Sequence, residues 1–419
     1  MRARPIRECD VSSSQVNARP RVRPLEPIWT KRDGEDILVL RDHDGVLEAP
    51  VAVPAIVGLI LSLADGTRDI AEIAAVLSRE TGETLPIEAI EDLIRQLEEG
   101  LILESDAVVV ARQRALAEFR SRPRPMSHVG AIYPGDLVAL RATIDAHGRG
   151  VMEPRAIRDA EIRGIIAPHI DFARGGPVYH RVFGRASQAL SIADVLVIFG
   201  TDHAGSPGAI TLTDQDFETP FGTFSTDRTI VSAIRDAIGA DHAAAEELHH
   251  RGEHSIELAL VWAASALNGR RPTIVPILCG SFHRYVGRES DPAADARLAA
   301  VIATLRTALD GRRWLAIAAA DLAHVGPAFG DAEPLDHDQK DDLRLRDEAM
   351  LNHVSWGAHH RFFTALRDEG DRSRVCGLPP IYLTLRLLDD ARGEVVAYDQ
   401  CPADADGTSV VSIAGALLW

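Results

Sequence analysis

Residues Ile162 to Asp171 read IRGIIAPHID. A short continuous apolar run of this kind suits a strand buried on both faces, and here it delivers a histidine and an aspartate at its carboxyl end. The pattern recurs. Val195 to Phe199 (VLVIF) leads into Gly200-Thr201-Asp202-His203, and Trp314 to Ala319 (WLAIAA) leads into Asp321-Leu322-Ala323-His324. Thr273 to Cys279 (TIVPILC) is a fourth run. Between them lie helical stretches at Val178 to Leu190, Arg228 to Ile238, Ser255 to Leu267 and Ala294 to Leu309. Alternating strands and helices predict an α/β fold, a mixed sheet covered by helices on both faces. Ligands in such sheets bind in the crevice beyond the strand carboxyl ends. Three histidines and three aspartates brought to that edge make a metal- or catalysis-grade constellation.

Two further stretches add to it. In Arg251 to Glu257 (RGEHSIE) a helix begins, so Glu253, His254 and Ser255 sit at an N-terminus whose backbone N–H groups favour anions. Arg374 to Pro380 (RVCGLPP) precedes another helix and places Cys376 at its start, where a thiol is expected to have a lowered pKa.

Composition narrows the function. At 419 residues the chain exceeds what one core usually supports, so two domains are expected. The net charge of −17 argues against a nucleic-acid partner, since phosphate binding needs a basic surface. Lysine occurs only at Lys31 and Lys340, which removes phosphate-loop and Schiff-base chemistry from consideration. No apolar stretch approaches the roughly 18 residues of a membrane helix, and no signal peptide is legible, so a cytoplasmic location is expected. The four cysteines Cys9, Cys279, Cys376 and Cys401 form no C-x-x-C pair, and reduced thiols are expected. Of the sixteen histidines only His43 precedes residue 128, which locates the chemistry in the second part.

The first part is organised differently. Residues 1–23 lack periodicity and read as a flexible tail. Residues 24–106 read as a small domain: a strand at Asp36 to Arg41, an apolar helix at Val53 to Leu63, a stop and N-cap at Ala64 to Thr67, amphipathic helices at Asp69 to Thr81 and Glu88 to Glu98, Gly100 as a helix stop and a short strand at Leu101 to Leu103. This order resembles the PqqD-like winged-helix module, which implies peptide or partner-protein binding. Residues 107–126, Arg-rich and ending in RSRPRPM, read as a linker to the main domain at 127–419.

The main domain also resembles a known family. In chain order, Ala167-Pro168-His169, Gly200 to His203, Glu253 to Glu257, Asp321 to His324 and Cys376-Gly377 to Pro380 resemble motifs of the Memo family, also called AmmeMemoRadiSam system protein B. Ser127 to Tyr133 (SHVGAIY) looks like its SHAGSWY opening, and Phe217 to Gly222 (FETPFG) like its "TP" segment. The resemblance implies the fold of class III extradiol dioxygenases. It implies His169, His203 and Cys376 as metal ligands with Asp321 and His324 as a neighbouring pair. It also implies radical-SAM and AMMECR-type partner proteins, and a small-molecule or peptide substrate. Three departures stand out: Ile170-Asp171-Phe172 replaces AGY and puts an acid near the metal, the family's GPSHH loop becomes Gly200-Thr201-Asp202-His203-Ala204 and so loses its second histidine and gains an aspartate, and the tryptophan of the opening is missing.

Two imidazoles and a thiolate suit iron or copper, with zinc chemically comfortable but redox-silent. The expectation is a non-haem, dioxygenase-like oxidoreductase in which Asp321, His324, Glu253 and His254 assist proton transfer. The alternative is a metal-binding scaffold without turnover that sequesters copper or iron. A third reading uses Cys376 with His324 or His254 in hydrolase or transferase chemistry.

Overall fold

The computed structural model describes residues 19–47, 49–149, 159, 161–287 and 291–419, arranged in two compact units, Met1–Ala117 and Glu118–Trp419. The tail expected at 1–23 lies outside the described residues up to 18. From there the chain is ordered into the first unit: Val22 bridges Leu103, and the Arg23 guanidinium donates to both Asp42 oxygens at 3.0 and 2.8 Å with both side chains nearly inaccessible.

The first unit opens with a three-stranded antiparallel sheet, β1 (Glu26–Arg32), β2 (Glu35–Arg41) and β3 (Val51–Pro54). Helices α1 (Ala55–Leu63), α2 (Ile70–Thr81) and α3 (Ile87–Glu99) follow and share one core around Ile60, Ile73, Leu77, Ile94 and Leu97. Only β2 is legible in sequence. The EPIWTKR stretch of β1 is almost wholly exposed and carries no apolar face, and β3 runs into α1 as one apolar segment. The N-cap of α2 is Asp69 rather than Thr67: Asp69 accepts from the Glu72 N–H and Glu72 reaches back to the Asp69 N–H. Gly100 does cap α3, but the left-handed φ falls on Leu101 (+57°), and Leu101 to Leu103 contributes a single bridge, not a strand.

The expected linker is helical over much of its length. Helix α4 (Asp106–Arg120) is rich in Ala, Arg, Leu and Glu, strong helix formers, and it buries Phe119. Beyond it Arg124 is fully buried within the second unit, so this part of 107–126 belongs to the structure of the site domain.

The second unit is built on an eight-stranded mixed sheet. Its strands are β4 (Gly164–Ala167), β5 (Val195–Thr201), β6 (Ile210–Leu212), β7 (Thr273–Cys279), β8 (Trp314–Ala319), β9 (His324–Val325), β10 (Gly393–Pro402) and β11 (Val410–Leu418), ordered β10-β11-β4-β8-β5-β7-β6 with β9 on β11. The four expected strands are β4, β5, β7 and β8, and they pair in parallel at the centre. Alternate residues explain their unbroken apolarity. Val195, Val197 and Phe199 face the layer of helices α7 (Arg228–Ile238), α12 (Ala296–Leu309) and α15 (Leu378–Leu388). Leu196 and Ile198 face α5 (Leu137–His147), α6 (Phe172–Ile192) and α10 (Ser255–Ala266). The antiparallel flank of β10 and β11 is an addition to the sequence reading. No helix among the described residues is long and apolar enough to cross a membrane.

Candidate metal centre

Parallel pairing in register aligns the carboxyl ends of β4, β8 and β5, with Ala167 beside Ala319 and Ala319 beside Gly200. The residues that follow each strand therefore arrive at one edge. His169 is 1% exposed, and its Nδ1 lies 3.0 Å from the Ala319 carbonyl, to which an Nδ1–H donates. That bond leaves Nε2 as the ring's free donor atom, 3.4 Å from Cys376 Sγ. His203 is held from the other side: its Nδ1 lies 2.9 Å from Glu253 Oε2, which again frees Nε2. One donor atom each from His169, His203 and Cys376 lies within 4.8 Å of the other two. This donor set fits a transition-metal ion, with two carboxylate- or carbonyl-oriented imidazoles and one thiol.

The other expected residues surround these three. Asp321 Oδ1 accepts from the backbone N–H of His169 (2.8 Å) and Ile170 (3.3 Å), while Oδ2 lies 3.7 Å from His169 Nε2. Burial raises the Asp321 pKa above the ordinary carboxylate value. Glu253 bridges two imidazoles, with Oε1 3.1 Å from His254 Nδ1, and the same oxygen accepts from the Ser255 N–H at the start of α10. The helix N-terminus does take an anion, and the anion is the protein's own. Burial works against the Glu253 charge, but His203 and His254 outweigh it and hold the pKa well below the usual range. His254 stacks on His203 at 4.8 Å between ring centroids and meets His169 edge-on at 5.3 Å. His324 stands further out, its Nδ1 3.2 Å from the Leu322 carbonyl and its ring against Phe329, with its pKa lowered by burial.

Two expectations change. Asp171 is not a site acid: it caps α6 by accepting from the Arg174 N–H and holds the Arg174 guanidinium at 2.6 Å. The Cys376 thiol is not lowered by its place before α15. Loss of solvent raises it above the ordinary thiol value, with His203 opposing. The first turn of α15 also contains Pro379 and Pro380, which have no N–H to offer a thiolate.

Sequence reading missed a second carboxylate centre. Glu257 is 1% exposed and gathers the Arg124 guanidinium, the Ser127 and His128 N–H groups, His128 Nδ1 (3.2 Å) and the Tyr133 hydroxyl (2.6 Å). His128 in turn lies 5.6 Å from the His254 ring. The signal available was the pairing of SHVGAIY with the last residue of RGEHSIE. A cavity of about 240 Å³ opens beside the ligands, lined by His203, Cys376, Phe282, His283, Asp371 and Arg374 among others.

Fold and site together define an α/β protein with a His/His/Cys pocket at the carboxyl edge of a parallel sheet core. The Memo-like protein family matches residues 124–417, and this chain belongs to the Memo family. It is 25% identical over 413 residues to a MEMO1 family protein of Aquifex aeolicus, covering 96% of this chain and all of that protein. It is 28% identical to one from Thermus thermophilus, over 79% of this chain and 93% of that protein. A third, from Methanothermobacter thermautotrophicus, is 31% identical over 68% of this chain and 96% of its own length.

Proposed function

We propose that the His169–His203–Cys376 pocket holds iron or copper and that the protein is a metal-dependent oxidoreductase of dioxygenase type. The observation that carries this reading is the convergence of three donor atoms within 4.8 Å, two of them imidazole nitrogens freed by fixed hydrogen bonds on the opposite ring nitrogen. A bound redox metal supplies one-electron chemistry and the activation of dioxygen, which no side chain here provides.

The remaining residues supply position and protons. Asp321 fixes the backbone of the His169 loop through Oδ1 and keeps Oδ2 at the pocket. Glu253 orients His203 and His254 together, so that His254, a third exposed, is placed to accept or return a proton at Nε2 while its Nδ1–H stays on the carboxylate. The adjoining cavity has room for a small molecule next to Cys376 and His203.

Elemental analysis of anaerobically purified protein, beside His169→Ala and Cys376→Ser, tests the reading. Near-stoichiometric iron or copper, lost in both variants and accompanied by substrate-dependent oxygen uptake, supports it. Stoichiometric metal with no oxygen uptake across a substrate screen moves the protein to metal storage. Equal metal in all three proteins removes the ligand assignment.

A further inference from the structure

The loop that delivers Cys376 also delivers an arginine to the same cavity. Arg374 stands two residues before Cys376, and both line the space of about 240 Å³ beside His203. Its backbone lies in the left-handed region, at φ +50°, which a glycine adopts freely and a β-carbon opposes. Its side chain is pinned from two directions. Nε donates to the His324 carbonyl at 2.9 Å. Nη2 donates to Asp331, and the same Asp331 oxygen accepts from the Gly326 N–H at 2.7 Å. The third nitrogen, Nη1, has no hydrogen-bond partner among the described residues, and the side chain is 37% exposed.

The acids on the same wall are committed elsewhere. The two Asp202 oxygens lie 3.1 and 3.0 Å from His249 Nδ1, and Oδ1 also accepts from the Ala204 N–H. Asp371 gives Oδ1 to the Val375 N–H at 2.9 Å. Burial raises the pKa of both acids. His283 stands exposed on the cavity's rim, and Phe282, Leu378 and Pro379 supply apolar surface. Arg374 therefore offers this space a fixed, permanently charged donor with one nitrogen to spare. Asp331 already shares the guanidinium's charge, while Asp202 and Asp371 repel a second negative charge. That balance favours a carboxylate over a phosphate dianion.

We propose that Arg374 is a substrate-binding residue, its Nη1 receiving the carboxylate of a small monoanionic organic acid whose other end reaches Cys376 and His203. The inference rests on the reading of that pocket as the reacting end of the cavity. His324 and Asp331 hold the guanidinium before any ligand arrives, so little order is lost on binding, and the ligand takes the nitrogen they leave. An arginine kept at a left-handed position, where glycine would close the loop without strain, is accounted for by what its side chain holds.

The test needs neither the substrate nor a metal. Full-length, chelator-treated protein is alkylated with iodoacetate and, separately, with iodoacetamide. In both reactions the Cys376 sulfur attacks the methylene carbon and iodide leaves, so the reagents differ in charge alone, and peptide mass spectrometry follows Cys376. In wild type the iodoacetate rate should saturate with concentration and be slowed by propionate but not by propanamide, while the iodoacetamide rate stays linear. Arg374→Gln should abolish saturation and lower the iodoacetate-to-iodoacetamide rate ratio about 10-fold. Arg374→Lys should restore part of it. Asp331→Asn removes the acid that shares the guanidinium and leaves an amide oxygen for the Gly326 N–H, so it should raise the ratio. Circular dichroism checks the fold of each variant. If Arg374→Gln does not fold, Asp331→Asn decides, and a ratio unchanged or lowered there overturns the proposal. So does linear iodoacetate kinetics in wild type, a ratio unchanged in a folded Arg374→Gln, or stronger protection by inorganic phosphate than by propionate. Because the alkylation is read without metal, a protein that holds no iron or copper yet shows Arg374-dependent saturation defeats the metal reading and leaves the carboxylate site standing.

Discussion

Glu253 Oε2 lies 2.9 Å from His203 Nδ1 and 3.2 Å from the His203 backbone N–H, so one buried carboxylate oxygen fixes both the ring and the main chain of a metal-pocket residue. The orientation follows: Nδ1 is committed to the carboxylate, which leaves Nε2 as the ring nitrogen available to a metal. A carboxylate behind a ligand histidine typically contributes 10–100-fold in metal affinity.

Glu253→Gln tests that contribution. The amide keeps the shape and one acceptor but loses the charge, so iron or copper affinity should fall about 10–100-fold with the fold intact. Competition against a chelator of known affinity measures it, with circular dichroism as the folding control. Unchanged affinity would make Glu253 a helix cap and nothing more.

The Glu257 centre predicts a pH dependence of stability. Burial raises the Glu257 pKa, but His128, Arg124 and Tyr133 outweigh it and bring it to about 2, below the ordinary value of 4.5. A depressed carboxylate stabilises the fold fully above its unfolded pKa, and that stability is lost as pH falls through the folded pKa. Unfolding free energy from urea titrations should therefore drop between about pH 4.5 and pH 2. In Glu257→Gln the starting stability should be lower and the slope across that window shallower. An unaltered slope in the variant would assign the acid sensitivity to other carboxylates.

Arg124 is the partner that this carboxylate cannot lose cheaply. Arg124→Met leaves Glu257 buried with its charge uncompensated, at a cost of about 3–5 kcal/mol. Replacing both, as Arg124→Met with Glu257→Gln, should recover part of that loss. Thermal and urea denaturation of the two proteins make the comparison, and a double variant weaker than the single would contradict it.

The buried centre of the fold was legible because the four parallel strands bury both faces and so appear as unbroken apolar runs. The site was legible because each of three strands ends in a histidine or aspartate, and parallel pairing carries strand ends to one edge. What failed was of two kinds. Strands β1 and β3 have no periodicity of their own: one is exposed and the other is continuous with a helix. Long-range pairing was invisible as well. Nothing local in RSRPRP announces that Arg124 will meet Glu257, 133 residues on, so a buried cation read as linker chemistry. The motifs identify which residues gather, and only the packing assigns roles, as Asp171 and Asp202 show: both follow buried strands, yet one caps a helix and the other holds a histidine.

Asp321 offers the sharpest separation of holding from chemistry. Its Oδ1 is the acceptor for two backbone N–H groups, those of His169 and Ile170. Asp321→Ala orphans both in a buried loop, at about 1–3 kcal/mol for each unmet donor, and frees His169 to move. Stability should fall by a few kcal/mol and metal should be lost together. Asp321→Asn is the contrasting case. Its amide oxygen can take over both N–H groups, so stability should stay near that of wild type. Its NH2 group then occupies the place of Oδ2, 3.7 Å from His169 Nε2, and a donor there competes for the lone pair that a metal needs. Metal affinity should fall although the protein does not soften. Urea denaturation and chelator competition on the same two variants resolve the two effects. If Asp321→Ala were as stable as wild type, Asp321 would not be what holds the His169 loop, and its place at the pocket would have to be explained by the reaction alone.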